Sequence, residues 1–372
     1  MVYLFNSGYR LGYQVNLLNT LFYPSGWINE YRYTYSDTEH YFDGTQLDTY
    51  LKLKNEKAVI IAVDRFYVAG YSYHPVREGI LKGCYQDGNR LLFMVELGNY
   101  IYPKDNNNFT NELINNFPFR PKLTNGNPES TNDGFYAFAG KDIIGDSGKF
   151  IYGVEAWEKV TDQLASTHTY VAKQGDETVF ARIEMDVSPA IQNSGTADQP
   201  IYKSYYKLVK GTTYTIDFSF KYPGQKGNAT VETILKGKDS LRFDSNDRIE
   251  LTTRSDYRII KFTPKRYTDE KTENLGFVFS RITTSLPFNF NSPRINMDLK
   301  LEDGSYFWLQ VVLTTLLWVI CTLLVGLDYS KLKQQNLQQI IFAITYWKIA
   351  AAFLNAAILI WIFRLWGGKK PY

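Results

Sequence analysis

The chain is poor in the residues that metal sites and covalent catalysis use. Its 372 residues include only two cysteines and three histidines. The histidines, His40, His74 and His168, lie far apart, and none has metal-ligand spacing to a cysteine or to another histidine. The sequence also lacks a glycine-rich phosphate loop after a strand and a G-x-S-x-G nucleophile motif. We therefore expect no metal, no cofactor and no catalytic residue, and we do not expect an enzyme.

The cysteines and the N-terminus bear on the cellular compartment. Cys84 lies in polar sequence and Cys321 in an apolar run, so they are not expected to form a disulfide. The N-terminus has no basic region, and its apolar run is broken at Asn6, Ser7 and Arg10, which is not the pattern of a signal peptide. Both features favour a reducing compartment and a cytosolic body.

The formal net charge of +3 is unevenly distributed. Residues 1–303 carry 35 basic and 37 acidic side chains, whereas residues 304–372 carry six basic side chains and one acidic one. The positive excess thus belongs to the C-terminal part. The body has no overall electrostatic footprint for long nucleic acid, although a local basic pocket is compatible with this balance.

Two long apolar runs stand near the C-terminus. Residues 307–327 contain no charge, and residues 340–363 contain one charge, Lys348. At a helical rise, each run spans the ~30 Å hydrocarbon layer of a bilayer. A polar segment of about a dozen residues between them is long enough to turn a helical hairpin. We predict two transmembrane helices within residues 304–372.

The charges that flank these runs predict their orientation. Arg364, Lys369 and Lys370 follow the second run, and flanking positive charge favours the cytoplasmic side for the tail and for the body. Lys331 and Lys333 in the connecting segment act in the opposite direction. The prediction is a two-span protein with a cytoplasmic N-terminal body.

Polar residues recur along the predicted spans at helical spacing. Lys348 and Asn355 are seven residues apart and share a face with Thr345, while Gln310 and Thr314 share a face of the first span. Polar groups are costly against lipid, so these five residues are candidates for pore lining or helix packing. For Lys348, about 12 Å from Ile340 along the helix, snorkelling toward the interface is an open alternative.

Tyrosine and phenylalanine dominate the body, with 29 and 24 copies, and suit β-sheets. For residues 1–121 we predict strands that close into a small barrel or sandwich, with hairpins at 55–56 and 87–88. Segment 8–23 is predicted to extend the sheet, and segments 45–52 and 109–117 are predicted as short helices. Residues 122–136 form a predicted linker. Residues 137–303 alternate apolar and polar residues, which predicts a β-sandwich of jelly-roll type.

Basic and aromatic residues alternate in the N-terminal part. The candidate ligand-binding residues are Arg65, Tyr67, Arg77, Lys82 and Arg90. A short single-stranded nucleotide needs charge for its phosphates and ring faces for its bases. Similar clusters occur at 202–210 and 254–266. The alternative for all three clusters is an ordinary solvent-exposed strand face.

A β-rich body over residues 1–303 ahead of two spans, at 307–327 and 340–363, resembles in layout the HalB effector family of the Hailong antiphage system. The resemblance implies a tetrameric ion channel in a bacterial inner membrane. It further implies control by DNA oligomers that a partner nucleotidyltransferase makes. Because the resemblance is one of layout, it assigns no role to any single residue.

These observations lead to one expected function and two alternatives. The expected protein is a membrane effector of antiphage defence, an oligomeric ion channel gated by a nucleotide or oligonucleotide signal. One alternative is a passive membrane anchor that presents a β-sandwich binding module without a pore. The other is a surface carbohydrate-binding or adhesion protein with its body outside the cell.

Overall fold

The computed structural model describes the backbone of a defined set of residues. They are residues 2–7, 11–34, 48, 51–66, 70–88, 90–116, 137–139, 150–166, 180–196, 199–221, 230–236, 240–244, 248–252, 257–266, 268–280, 294–304, 309, 311–319, 349–350, 353–354 and 357–358.

The N-terminal part forms a mixed sheet of seven strands. Its strands are β1 Val2–Ser7, β2 Ile28–Thr34, β3 Glu56–Phe66, β4 Gly70–Asp87, β5 Arg90–Pro103, β6 Ala137–Ala139 and β7 Phe150–Tyr152. The order is β2-β5-β4-β3-β1-β6, with β7 beside β5. The pair β1–β3 is parallel and the other pairs are antiparallel. The carboxyl ends of β1 and β3 therefore lie at the same edge of this sheet.

The two predicted hairpins have different outcomes. The hairpin between β4 and β5 is confirmed, with Asp87 opposite Arg90 and Gly88 at a φ of 59°. A positive φ in a tight turn suits glycine, which has no Cβ. The hairpin at 55–56 is wrong, because β3 begins at Glu56 and pairs with β1 and β4. Asn55 still has a φ of 57°, so the residue does mark the turn that precedes β3.

Three helices with defined bounds accompany the strands in the described part of the body. They are α1 Leu11–Phe22, α2 Asn106–Asn116 and α3 Val154–Ser166. Helix α2 confirms the helix predicted at 109–117. Helix α1 overturns the strand predicted over 8–23: Leu17 and Leu21 are four residues apart and both are buried, which is the helical period. Helix α3 was not predicted, although Trp157, Val160 and Leu164 repeat at the same period.

The rest of the body is a β-sandwich, as predicted. A six-stranded sheet has the order β14-β12-β16-β17-β10-β9, and a four-stranded sheet has the order β13-β15-β11-β8. The strands are β8 Phe180–Met185, β9 Ala190–Asn193, β10 Tyr202–Val209, β11 Tyr214–Lys221, β12 Thr230–Lys236, β13 Leu241–Phe243, β14 Arg248–Thr252, β15 Tyr257–Pro264, β16 Thr272–Ser280 and β17 Arg294–Glu302. From β10 to β16 the chain crosses to the other sheet at every connection.

The sandwich and the N-terminal sheet share one hydrophobic core. Phe218 and Phe277 stack between the two sandwich sheets, with ring centroids 5.8 Å apart. The same core continues to Trp27, whose ring lies 5.2 Å from that of Tyr206. Ser204 accepts a hydrogen bond from the backbone N–H of residue 28 at 2.7 Å. The two parts of the body therefore pack directly on one another.

The domain boundary predicted at residue 137 does not coincide with the end of the first sheet. Strand β6 pairs with β1, β7 pairs with β5, and α3 packs on β4 and β5. The described chain thus stays with the N-terminal sheet as far as residue 166, and the sandwich begins with β8. The linker predicted at 122–136 lies outside the described residues.

The two apolar runs are described only in pieces. Residues 309, 311–319, 349–350, 353–354 and 357–358 are helical. Within the described ranges, no helix is both long enough and apolar enough to cross a membrane. The two-span hairpin therefore stays a prediction.

Candidate ligand-binding and membrane-contacting residues

Arg77, one of the five candidate ligand-binding residues, is fully buried in β4. Its guanidinium donates to the carbonyl oxygens of Thr20 and Tyr23 at 3.1 and 2.5 Å, through Nη1. It also donates to the carbonyl of Gly98, through Nε at 3.0 Å and Nη2 at 2.5 Å, and to Ser25 Oγ at 3.0 Å. These contacts place the guanidinium at the C-terminal end of α1.

The position of Arg77 has a physical reason. The last carbonyls of a helix lack partners within the helix, and the negative end of its dipole attracts a cation. Tyr100 completes the arrangement, because its hydroxyl donates to the carbonyl of Leu21 and its ring lies 4.3 Å from the guanidinium. Burial lowers the pKa of Arg77, opposed by the nearby tyrosines. A ligand phosphate has no access to this guanidinium, so the prediction that Arg77 binds a ligand is corrected to a structural role.

The remaining candidates of this set do not form one cluster. Arg90 is exposed at the start of β5, opposite Asp87 at one end of β4. Arg65 pairs with Tyr71 near the other end of β4, sixteen residues away, which corresponds to roughly 50 Å of strand. Lys82 lies between them on β4, and its Nζ is 3.2 Å from Glu96 Oε2. Tyr67 lies outside the described residues.

The cluster predicted at 202–210 divides between the core and the surface. Tyr206 is buried, and burial raises the pKa of its hydroxyl. Tyr205 faces outward, and Lys300 Nζ of the neighbouring strand lies 3.9 Å from the centre of its ring. Lys203 and Lys207 are exposed on the same strand. The outer face of the six-stranded sheet therefore combines lysine and tyrosine, but Lys207 is paired with Glu302 at 3.0 Å.

The histidine and the cysteine within the described residues, His74 and Cys84, are both buried. His74 is 1% exposed, and burial lowers its pKa to about 4. Cys84 is 2% exposed, and burial raises the pKa of its thiol to about 12. No group of three or more His, Cys, Asp or Glu side chains that could hold a metal ion occurs in the described part. His40 and His168 lie outside it.

The helical residues 311–319 have one buried stripe and a wide exposed apolar surface. Val311 and Thr314 are 7% and 4% exposed, and their spacing puts them on one face. The large apolar residues that are at least 43% exposed are Val312, Leu313, Leu316, Leu317 and Val319. In the second run Phe353 is 75% exposed. Among the predicted pore or packing residues, Thr314 thus faces inward, whereas Gln310, Thr345, Lys348 and Asn355 lie outside the described residues.

The strand that leads to this helix is held by the turn after β10. Strand β17 ends at Glu302, whose carbonyl accepts a hydrogen bond from the backbone N–H of Lys210 at 2.9 Å. The Lys210 ammonium lies 3.1 Å from Asp303 Oδ1 and donates to the carbonyl of Thr268 at 2.8 Å. The lysine side chain is 9% exposed. These contacts fix the point at which the sandwich ends and the apolar segment begins.

Asn6 in β1 is among the buried polar residues that the sequence does not single out as candidates. Asn6 is 0% exposed, and its side-chain nitrogen and oxygen have no hydrogen-bond partner. A signal was present, because Asn6 follows four apolar residues and has the same strand parity as Val2 and Leu4. In the sequence pattern, Asn6 serves only as evidence against a signal peptide.

No protein-family model matches the chain, and no characterised protein matches its sequence significantly.

Proposed function

We propose that this protein is a membrane effector of a bacterial antiphage system, an oligomeric ion channel whose cytosolic body senses a nucleotide or oligonucleotide signal. In this proposal, residues 307–327 and 340–363 cross the inner membrane. The N-terminal sheet and a sandwich of jelly-roll type form the body. Lipid, further copies of the same chain and a signal from a partner nucleotidyltransferase are its partners.

The observation that carries the proposal is the exposed apolar surface of residues 311–319. Five large aliphatic side chains there are 43–58% exposed, whereas the polar Thr314 is 4% exposed. Thr315 is also exposed, but its hydroxyl donates within the helix to the carbonyl of Val311 at 2.8 Å. A soluble helix shows the reverse arrangement, with its apolar stripe inward and its polar residues outward. A helix in lipid turns apolar side chains outward and keeps polar groups against protein or water. The chemistry of this helix therefore fits a lipid environment.

Direct connection of the body to this helix supports gating. Strand β17 lies between β16 and β10 in the six-stranded sheet, and only residues 303–308 separate it from the described helix at 309 and beyond. Lys210 anchors the last residues of that strand. A rearrangement of the sandwich would thus be transmitted over a short distance to the first span. A passive anchor does not need so short a connection.

Ion flux through the reconstituted protein tests the proposal. The full chain is incorporated into potassium-loaded liposomes, and potassium efflux is measured with and without short single-stranded DNA oligonucleotides. We expect efflux that changes when the oligonucleotides are added. Asn355→Leu removes a polar group at bilayer depth and should abolish the efflux while insertion is retained. Phe353→Leu, at a 75% exposed position of the same run, is the matched control and should conduct normally.

Two results would overturn the proposal. If the inserted wild-type chain conducts no ions under either condition, the passive anchor is the better description. If the chain fails to insert into liposomes, the apolar runs do not cross a membrane and the predicted sidedness of the body also fails.

A further inference from the structure

Three residues in register form a row across the N-terminal sheet. Asn6 of β1 is opposite Ala62 of β3, and Ala62 is opposite His74 of β4. Directly opposed residues on neighbouring strands point to the same face, so the three side chains lie side by side. Asn6 is 0% exposed, Ala62 is 0% exposed and His74 is 1% exposed. Asn6 and His74 are therefore two buried polar side chains that lie on either side of the small Ala62.

The Asn6 amide lacks the partners that buried amides require. Neither its Nδ2 nor its Oδ1 has a hydrogen-bond partner. Buried polar groups are almost always paired in folded proteins, and each exception needs an explanation. Asn29 of β2 provides the contrast, because it is 2% exposed and its Nδ2 donates to the carbonyl of Asn16 and to Thr20 Oγ1, both at 3.2 Å. Asn6 therefore differs from an ordinary core asparagine.

The place of Asn6 in the fold is one where ligands bind in other proteins. It lies one residue before the end of β1, and the parallel strand β3 ends at the same edge. Helix α1 is the next described element along the chain after β1, and its N-terminus is at Leu11. In open α/β sheets, ligands bind outside the carboxyl ends of the parallel strands, and a helix N-terminus favours an anionic group.

We infer that the carboxyl edge of β1 and β3 is a nucleotide site, in which the Asn6 amide bonds to the edge of an uncharged nucleobase. An amide offers one donor and one acceptor side by side, which matches the paired groups on a base edge. The start of α1 would receive the phosphate. This inference rests on the proposed function, since it assigns the sensed nucleotide to a specific place in the body.

The surroundings of Asn6 favour a neutral contact. His74 is held in its neutral form at physiological pH, because burial lowers its pKa to about 4. The cation nearest along β4, Arg77, is engaged by the C-terminal end of α1. Neither His74 nor Arg77 therefore presents a free positive charge to the Asn6 amide. Because Asn6 is fully buried, a ligand can bond to its amide only when the side chains that now cover it move aside.

The inference has a distinctive consequence for stability. Replacing an unpaired buried amide with an apolar side chain should stabilise the protein when no ligand is bound, whereas replacing a paired amide should destabilise it. We therefore expect Asn6→Val to raise the midpoint of thermal unfolding and Asn29→Val, the matched control, to lower it. A polar residue that serves a function is kept at such a position although it lowers the stability of the folded protein without ligand.

Mononucleotide binding to the full chain in detergent micelles tests the site. The probes are dAMP, dGMP, dCMP and TMP, each titrated separately by calorimetry at a temperature at which all variants are folded. We expect wild type to bind at least one of them, Asn6→Val to bind that nucleotide about tenfold or more weakly, and Asn29→Val to bind it as wild type does.

The outcomes separate this inference from the proposed channel. The site is refuted if wild type binds none of the four nucleotides, if Asn6→Val binds as wild type does, or if Asn6→Val lowers the unfolding midpoint as Asn29→Val does. If Asn6→Val liposomes respond to oligonucleotides as wild type does, the channel stands and this site fails. If mononucleotides bind through Asn6 but no liposome conducts, the site stands and the channel fails.

Discussion

Substitution of Arg77 by methionine would remove the contacts at the C-terminal end of α1. Methionine has a similar length and no charge, so the change isolates the guanidinium from the side chain's apolar stem. The backbone carbonyls of Thr20 and Tyr23 would lose the Arg77 donor, and the carbonyl of Gly98 would keep only the Ser25 hydroxyl. All lie where the end of α1 meets β4 and β5.

The expected loss follows from these contacts. Each buried carbonyl left without a donor costs about 1–3 kcal/mol, and removal of the cation from the negative end of the helix dipole adds about 0.5–1 kcal/mol. Relaxation of the site and the favourable removal of a buried charge reduce the sum. We expect the free energy of unfolding to fall by about 3–5 kcal/mol. Arg77→Lys keeps the charge but cannot reproduce the planar fork, so it should lose a large part of this stability.

Urea unfolding followed by tryptophan fluorescence is a suitable assay, because Trp27 lies in the shared core just after α1. Lys82→Met is the control on the same strand. Its ion pair with Glu96 is 3.2 Å long and its side chain is 24% exposed, so its removal should change the free energy of unfolding by no more than about 1 kcal/mol. An Arg77→Met effect as small as that of Lys82→Met would refute the reasoning, since it would mean that the carbonyls find other donors or water.

Three further predictions concern the pH response, the end of β17 and a close backbone approach. His74 has a pKa of about 4 in the folded protein against 6.5 when unfolded, so the unfolded state binds more protons between these values. The stability it contributes is complete above pH 6.5 and falls by about 3 kcal/mol as the pH drops to 4, and His74→Leu should remove this part of the pH dependence of urea unfolding. Lys210→Met should lower the thermal unfolding midpoint because it removes a contact of a 9% exposed ammonium, whereas Lys207→Met, at an exposed pair, should not. Gly79→Ala would place a Cβ 2.6 Å from the carbonyl oxygen of Glu96, so we expect it to destabilise the protein by about 1–3 kcal/mol in the same urea assay.

Local chemistry predicted the parts of the fold that depend on few neighbouring residues. The turn at Asp87 and Gly88 requires a residue that tolerates a positive φ, and the flanking strands alternate as a hairpin should. Helix α2 was predicted from its own sequence, and Asp105 Oδ1 accepts from the backbone N–H of Asn108 at its start. The sandwich was predicted because strand alternation continues over a long stretch.

Helix α1 shows where local patterns were insufficient. Its twelve residues include one glycine, two asparagines and the β-formers tyrosine, valine, threonine and phenylalanine, which offset the helix preference of its four leucines. The helix gains its stability from Leu17 and Leu21, which enter the core, and from Arg77 at its C-terminal end. Arg77 lies more than fifty residues further along the chain, so no window of sequence contains the contact. The same distance explains why a buried structural arginine was predicted as a phosphate ligand.

The sequence by itself determined the β-rich class of the body, the hairpin at Asp87 and Gly88, and the presence of two apolar runs, because each follows from the composition or spacing of neighbouring residues. Only the tertiary structure decided that Arg77 is buried at the end of α1, that Arg65 and Arg90 lie far apart, and that Asn6 is buried without a partner. Those facts depend on which strands pair and which faces meet. Pairing of strands distant in sequence is governed by the burial of the whole core, which local spacing does not encode.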